Sequence, residues 1–118
     1  MRHHSKIKSF GRKRSQRVEL MRTLAVSLIE HGRIQTTKAK AKAVRPFVEK
    51  LVTKAKKQDE KLATYRLLIS RLHNESIAKK LVDEVAPKYI NRNGGYTRVL
   101  KLPRRPGDAA ELAIIEFV

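Results

Sequence analysis

Cysteine and tryptophan are absent from the 118 residues, and other aromatics are scarce, with three Phe and three Tyr. Without a thiol there is no disulfide framework, no thiolate metal site, no cysteine nucleophile and no iron–sulfur cluster. The lack of cysteine fits a reducing compartment. No uncharged apolar run approaches the ~18–20 residues that a membrane span needs. The opening MRHHSKIKSFGRKR lacks the apolar stretch of a secretory signal, so a soluble intracellular chain is expected. With so few rings available, the core must be mostly Leu, Ile, Val and Ala. A hydrophobic content of 41% argues against disorder along the whole length, and the length suits one domain with one modest core.

Acid is the other shortage: 28 Lys and Arg face 11 Asp and Glu, for a net charge of +17. The excess is segregated. Residues 1–17 carry seven bases and no acid, residues 33–57 nine bases against Glu49, and residues 88–106 six bases and no acid. Residues 18–32 and 58–87 are close to neutral, and residues 107–118 hold three acids and no base. Crowded like charges repel one another, and a polyanion relieves that cost. Nucleic acid is the commonest partner for such a pattern, with an anionic membrane surface as the rival.

Residues 1–14 show no periodicity and read as a basic arm that orders against its partner, followed by one domain over residues 15–118. Ser15 is the expected N-cap of a helix running to about His31, with an apolar stripe of Val18, Met21, Leu24, Ala25, Leu28 and Ile29. Gly32 supplies its stop. Ile34–Thr37 alternates as a short strand, and Thr37 can cap a second helix burying Val44, Phe47, Val48, Leu51 and Val52. Pro46 inside it predicts a kink or restart near Arg45. A third helix spans about Glu60 to His73, with Leu62, Tyr65, Leu68, Ile69 and Leu72 on one face. Asn74 caps a fourth, which Pro87 closes. Two strands follow, near Thr97–Leu102 and Leu112–Val118, and the apolar LAIIEFV predicts cover on both faces. The order arm-α-β-α-α-α-β-β predicts an α+β fold, about four helices on a small three-stranded sheet.

Three constellations carry chemistry. In the arm, Arg2, Lys6, Lys8, Arg12, Lys13, Arg14 and Arg17 have no acid nearby in sequence, which suits a tail threaded between phosphates or a plain solvated run. Lys38, Lys40 and Lys42, two residues apart, fan around a helix start where free N–H groups attract anions, and the Thr36 and Thr37 hydroxyls either join them or cap. In the segment 91–98, Arg92 and Arg98 flank Gly94-Gly95, with Tyr96 either stacking on a base or packing inward. Lys101, Arg104 and Arg105 extend the positive surface. Against catalysis, His3, His4, His31 and His73 share no metal-ligand spacing with carboxylates, and Glu49, Asp59, Glu60, Glu75, Asp83 and Glu84 look like ordinary solvated helix charge. No two-metal acidic cluster is present in the pattern. No helix reads as basic along its whole exposed face, as a DNA-recognition helix would.

Taken together, Met-Arg-His at the start, Gly11–Lys13, Ser27–Ile29, His31–Ile34, Thr36-Thr37, Lys40–Lys42 and Gly94–Lys101 occur in an order that closely resembles the bacterial large-subunit ribosomal proteins of the L-seventeen family. The resemblance runs essentially end to end. It departs from the family after Gly11–Lys13, where the arm is short, and around Arg104–Ala110, where the tail is trimmed. It implies an α+β structural component of the large subunit that binds large-subunit ribosomal RNA on the solvent side near the polypeptide exit. Neighbouring large-subunit proteins would be its other partners, with no enzyme activity, cofactor, metal, membrane or small-molecule substrate. It makes Arg2, His3, Gly11, Arg12, Lys13, Thr36, Thr37, Lys40, Lys42, Gly95, Tyr96 and Arg98 RNA-facing or turn-forming positions. The alternative is a free basic regulator binding DNA or messenger RNA.

Overall fold

The structure is a computed structural model that describes residues 3–6, 8–57 and 59–118. Arg2, one of the expected RNA-facing residues, lies outside these. Among the described residues the chain forms α1 (Arg14–His31), β1 (Arg33–Thr37), α2 (Lys38–Ala55), α3 (Lys61–Leu72) and α4 (Glu75–Lys80). The last runs on through a wide π turn (Leu81–Val85) and a 3-10 turn (Ala86–Tyr89), and β2 (Thr97–Leu102) and β3 (Leu112–Phe117) complete the α+β fold.

The C-terminal strand is the middle of the sheet. β3 pairs antiparallel with β1 on one side and β2 on the other, so that Ile34, Ile115 and Val99 lie in one row and Gln35, Ile114 and Leu100 in the next. Alternation sends Ala113 and Ile115 into the core and turns Leu112, Ile114 and Glu116 the other way. Only the inner face is covered, contrary to the expectation from LAIIEFV. The outer face leaves Leu100 42% exposed and Ile114 half-buried.

Local signals explain most element ends. Gly32 takes a left-handed φ of 78° and its N–H donates to the Leu28 carbonyl, which stops α1. Asn74 caps α4 by accepting from the Ile77 N–H at 3.2 Å. Ser15 is not the cap of α1. The cap lies two residues earlier, with extended Lys13 at the cap and the Gln16 side chain accepting the Lys13 N–H at 3.2 Å, so Ser15 falls in the first turn.

Both prolines behave differently from expectation. α2 runs unbroken through Pro46. Proline there removes the hydrogen bond to the Lys42 carbonyl, and because Lys42 and Pro46 both lie on the solvent side, water can satisfy that carbonyl. Pro87 does not close the fourth helix either. The turn ahead of it widens, with the Ala86 N–H donating to Leu81, and the chain coils on to Tyr89.

The core is aliphatic, as the shortage of rings requires. Ala25, Leu28 and Ile29 of α1 meet Ala41, Val44, Val48, Leu51, Val52 and Ala55 of α2, with Leu68, Leu72, Leu81 and the inner sheet face closing around them. On α3, Leu62 is 64% exposed rather than buried, and Thr64 occupies the inward position. Val18, expected in the α1 stripe, is 45% exposed.

Glu49, read from sequence as solvated charge, links α2 to the sheet. Its Oε1 accepts from the buried Thr97 N–H at 3.3 Å and the Thr97 hydroxyl at 3.1 Å, and lies 3.6 Å from Arg45. Replacing Glu49 by Ala strands both Thr97 donors, and a loss of about 1–3 kcal/mol is expected. Urea unfolding checks this: the midpoint falls with an unchanged slope, while Glu49→Gln, which keeps an acceptor, loses less.

Candidate nucleic-acid interface

Two helix starts are wrongly charged for their own stability. A helix N-terminus carries partial positive charge and favours acids there, with each cation costing roughly 0.3–1 kcal/mol. Neither α1 nor α2 has an acid in its first turn. α1 begins Lys13-Arg14 and holds Arg17 one turn in, and α2 begins with Lys38 and Lys40. Thr37 stands at the N-cap of α2 with extended backbone, but its hydroxyl makes no capping bond. Among the described residues the first N–H has an external acceptor, with Lys38 N–H donating to the Glu111 carbonyl at 2.9 Å.

Folding brings these two starts together. Between the arm, α1 and α2 runs an open groove of about 660 Å³, lined by Lys6, Lys8, Phe10, Arg17, Val18, Met21, Lys38, Lys42 and Phe47, with Glu111 as its single carboxylate. The arm enters it through a tight turn in which Arg12 N–H donates to the Ser9 carbonyl at 3.0 Å. The two central residues, Phe10 and Gly11, both have left-handed φ, 52° and 64°. Gly11 adopts this freely, whereas a bulky Phe does so at a cost of order 1 kcal/mol. The Arg12 guanidinium braces the turn by donating to the Phe10 carbonyl at 2.7 Å.

From this groove a basic stripe continues along the outside of α2 and past its end. Lys42, Arg45, Lys50 and Lys57 are exposed and Lys54 is half-buried. The far end of the stripe reaches Gly94 and Tyr96, which share a shallow surface with Lys50, Lys54 and Lys57. Sequence reasoning stopped at Lys42 and missed Lys50, Lys54 and Lys57, although the four-residue step from Lys50 to Lys54 is the signature of one helix face. α2 is still not basic along its whole exposed face, since Ala39, Pro46 and Thr53 are exposed on it as well.

The third constellation is largely neutralised from within. Arg98 lies 2.7 Å from Glu116, Arg104 3.2 Å from Glu111 and Arg105 2.8 Å from Asp108. Glu111 also lies 3.8 Å from Lys38. Hydrogen bonds from Arg105, then from the Ala110 N–H, hold the Asp108 carboxyl down at about 2. The acidic last block thus answers the basic one before it.

Tyr96 is corrected outright. It is 2% exposed, its ring centroid lies 5.4 Å from that of Tyr89, and the Lys56 ammonium reaches its hydroxyl at 2.9 Å. That ammonium, with help from the Thr53 hydroxyl, lowers the Tyr96 phenol, whereas burial raises Tyr89. A ring so enclosed has no face for a base. The positive φ values of Gly94 and Gly95, 86° and 63°, serve the turn that buries it.

Among the described residues, His3, Lys6, Lys8, Arg12, Lys13, Arg14, Lys42, Arg92 and Lys101 are exposed, and Arg17 and Lys40 are half-buried, all without a carboxylate partner. Thr36 and Thr37 are half-buried beside them on β1. No group of acids and histidines among the described residues could hold a metal ion. No helix is long and apolar enough to cross a membrane among them either.

Comparison with known proteins places residues 20–118 in the family described as Ribosomal protein L17. A large ribosomal subunit protein bL17 from Persephonella marina is 59% identical over the whole of this chain and 95% of its own length. Those of Hydrogenobaculum sp., at 56% over the whole chain and 99% of its own, and Neorickettsia sennetsu, at 53% over the full length of both, are similarly alike.

The charge at the start of α2 yields a test. Lys40 occupies the third helical position after Thr37, where a Glu would complete a capping box. Lys40→Glu is expected to stabilise the free chain by about 0.5–1 kcal/mol while weakening RNA binding. Thermal melts of the free protein, beside an RNA titration, check both signs.

Proposed function

The chain belongs to the ribosomal protein L17 family, and from that premise we propose that this structural constituent of the large ribosomal subunit acts by neutralising phosphates of large-subunit ribosomal RNA where RNA helices approach closely. It is not an enzyme, and its place is the cytoplasmic ribosome. The observation that carries the reading is the gathering of cations from the arm (Lys6, Lys8), α1 (Arg17) and the start of α2 (Lys38, Lys42) around one groove, with Lys50, Lys54 and Lys57 exposed or half-exposed farther along. Lys8, Arg12, Lys13, Arg14, Arg17, Lys40 and Lys42 are the principal phosphate ligands, with Arg92 and Lys101 as outlying ones. Lys38, Arg98, Arg104 and Arg105, tied to carboxylates, contribute less. The family resemblance supports a place on the solvent side near the polypeptide exit, with neighbouring large-subunit proteins as further partners. The half-bare outer sheet face offers such a neighbour apolar surface.

If about eight phosphates are neutralised, the plot of log affinity against log salt has a slope of roughly −6 to −7. Lys40→Gln with Lys42→Gln flattens it by about 1.5, and Arg104→Gln with Arg105→Gln by less than 1. A slope near zero for the wild-type chain on its RNA contradicts phosphate anchoring. Release of the native protein from large subunits by a high-salt wash, with retention on DNA, favours the free regulator instead.

A further inference from the structure

The groove between the arm, α1 and α2 has a composition that phosphate neutralisation does not explain. Its lining is mostly apolar, with Phe10 on the arm side, Val18 and Met21 from α1 and Phe47 from α2, and the exposed cations Lys8 and Lys42 line it beside them. A surface that only had to hold phosphates would have no use for this floor. Val18, well inside α1, is left 45% exposed at it. Phe10 is set there by a turn that holds its backbone in the left-handed region, an arrangement that a smaller or more flexible residue would satisfy with less strain.

We propose that this groove receives the base of one unpaired ribosomal-RNA nucleotide, stacked against Phe10 and the apolar floor, with its flanking phosphates on Lys8 and Lys42. The inference rests on the RNA-binding reading above and adds to it a defined pocket for a base. The groove, at about 660 Å³, lies within the roughly 300–1,000 Å³ of sites for drug-sized ligands and has room for a base with its ribose. Charge decides between occupants. An apolar peptide segment would meet five cations and one carboxylate around the groove with nothing to neutralise them. A nucleotide brings its anions on either side of a flat, apolar-faced ring, matching the apolar lining and the cations together.

The test uses the full chain with a photoreactive phenylalanine analogue at position 10, assembled into large subunits, irradiated, and mapped. A cross-link to a single nucleotide is expected. A cross-link to a neighbouring protein, or none although the chain co-sediments with the subunit, overturns the proposal and leaves the RNA-binding reading intact. Failure to co-sediment overturns the reading itself. In parallel, Phe10→Ser is expected to weaken binding to large-subunit RNA about tenfold with an unchanged salt slope, and Phe10→Tyr to restore it. Because Phe10 lies in the arm, outside the buried core, both variants keep the fold. Equal affinity of the Phe10→Ser and wild-type chains also overturns the base pocket.

Discussion

Burial of Ala41, Val44, Val48, Leu51, Val52 and Ala55 along one side of α2 holds that helix against α1, α3 and the sheet. The same packing turns Lys42 and Lys50 to the opposite, solvent side of the helix, and Lys57 stands exposed just past its end. Glu49 at the margin of the two faces pins the helix to Thr97, and so sets the loop carrying Gly94 and Gly95 beside the basic stripe. The arm, the start of α2 and the segment after the helices lie far apart in the chain. α2 is the element that joins them into one surface.

Electrostatics then divides the cations into two groups. Where the chain supplies its own carboxylates, in Asp108, Glu111 and Glu116, the neighbouring arginines are tied down and shape the β2–β3 loop. Arg22 and Arg45 likewise have Glu19 and Glu49 beside them, but the cations of the arm and of the α2 start beyond Lys38 have no carboxylate partner among the described residues, and at two helix starts they oppose the helix dipole as well as one another. A free chain bears that cost, and a phosphate scaffold removes it. Local rules broken without internal compensation mark a functional surface better than net charge does. On this measure the arm and the start of α2 stand out, and the basic hairpin loop does not.

Much of this was legible in the sequence. The periodic helices, the stops at Gly32 and Asn74, the strands and the α+β architecture all rest on local signals that act within a few residues. Most of the misreadings share one cause, which is that they depended on what lies across the fold. Whether Pro46 breaks α2 depends on which face it occupies. The position of Glu49 opposite Thr97, 48 residues away, turns an apparent surface charge into a tie. Tyr96 looked available for stacking because nothing local shows Lys56 and Tyr89 closing over it. Likewise Arg98 looked free because Glu116 arrives with the next strand, whereas Asp108 and Glu111, within seven residues of Arg105 and Arg104, were already close in sequence. Lys50 and Lys54 are different, since their four-residue spacing on one helix is readable from sequence alone.

The central claim is that one surface, running from the arm across the outside of α2, meets RNA, and lysine reactivity tests it most directly. Labelling the free chain and the intact large subunit with an amine-reactive reagent, then comparing sites by mass spectrometry, reads every exposed ammonium at once. The account predicts strong protection in the subunit at Lys8, Lys13, Lys40 and Lys42, and little at Lys61 and Lys79 of the charge-balanced α3–α4 region. Protection at Lys61 and Lys79 with Lys8, Lys13, Lys40 and Lys42 still reactive would contradict it.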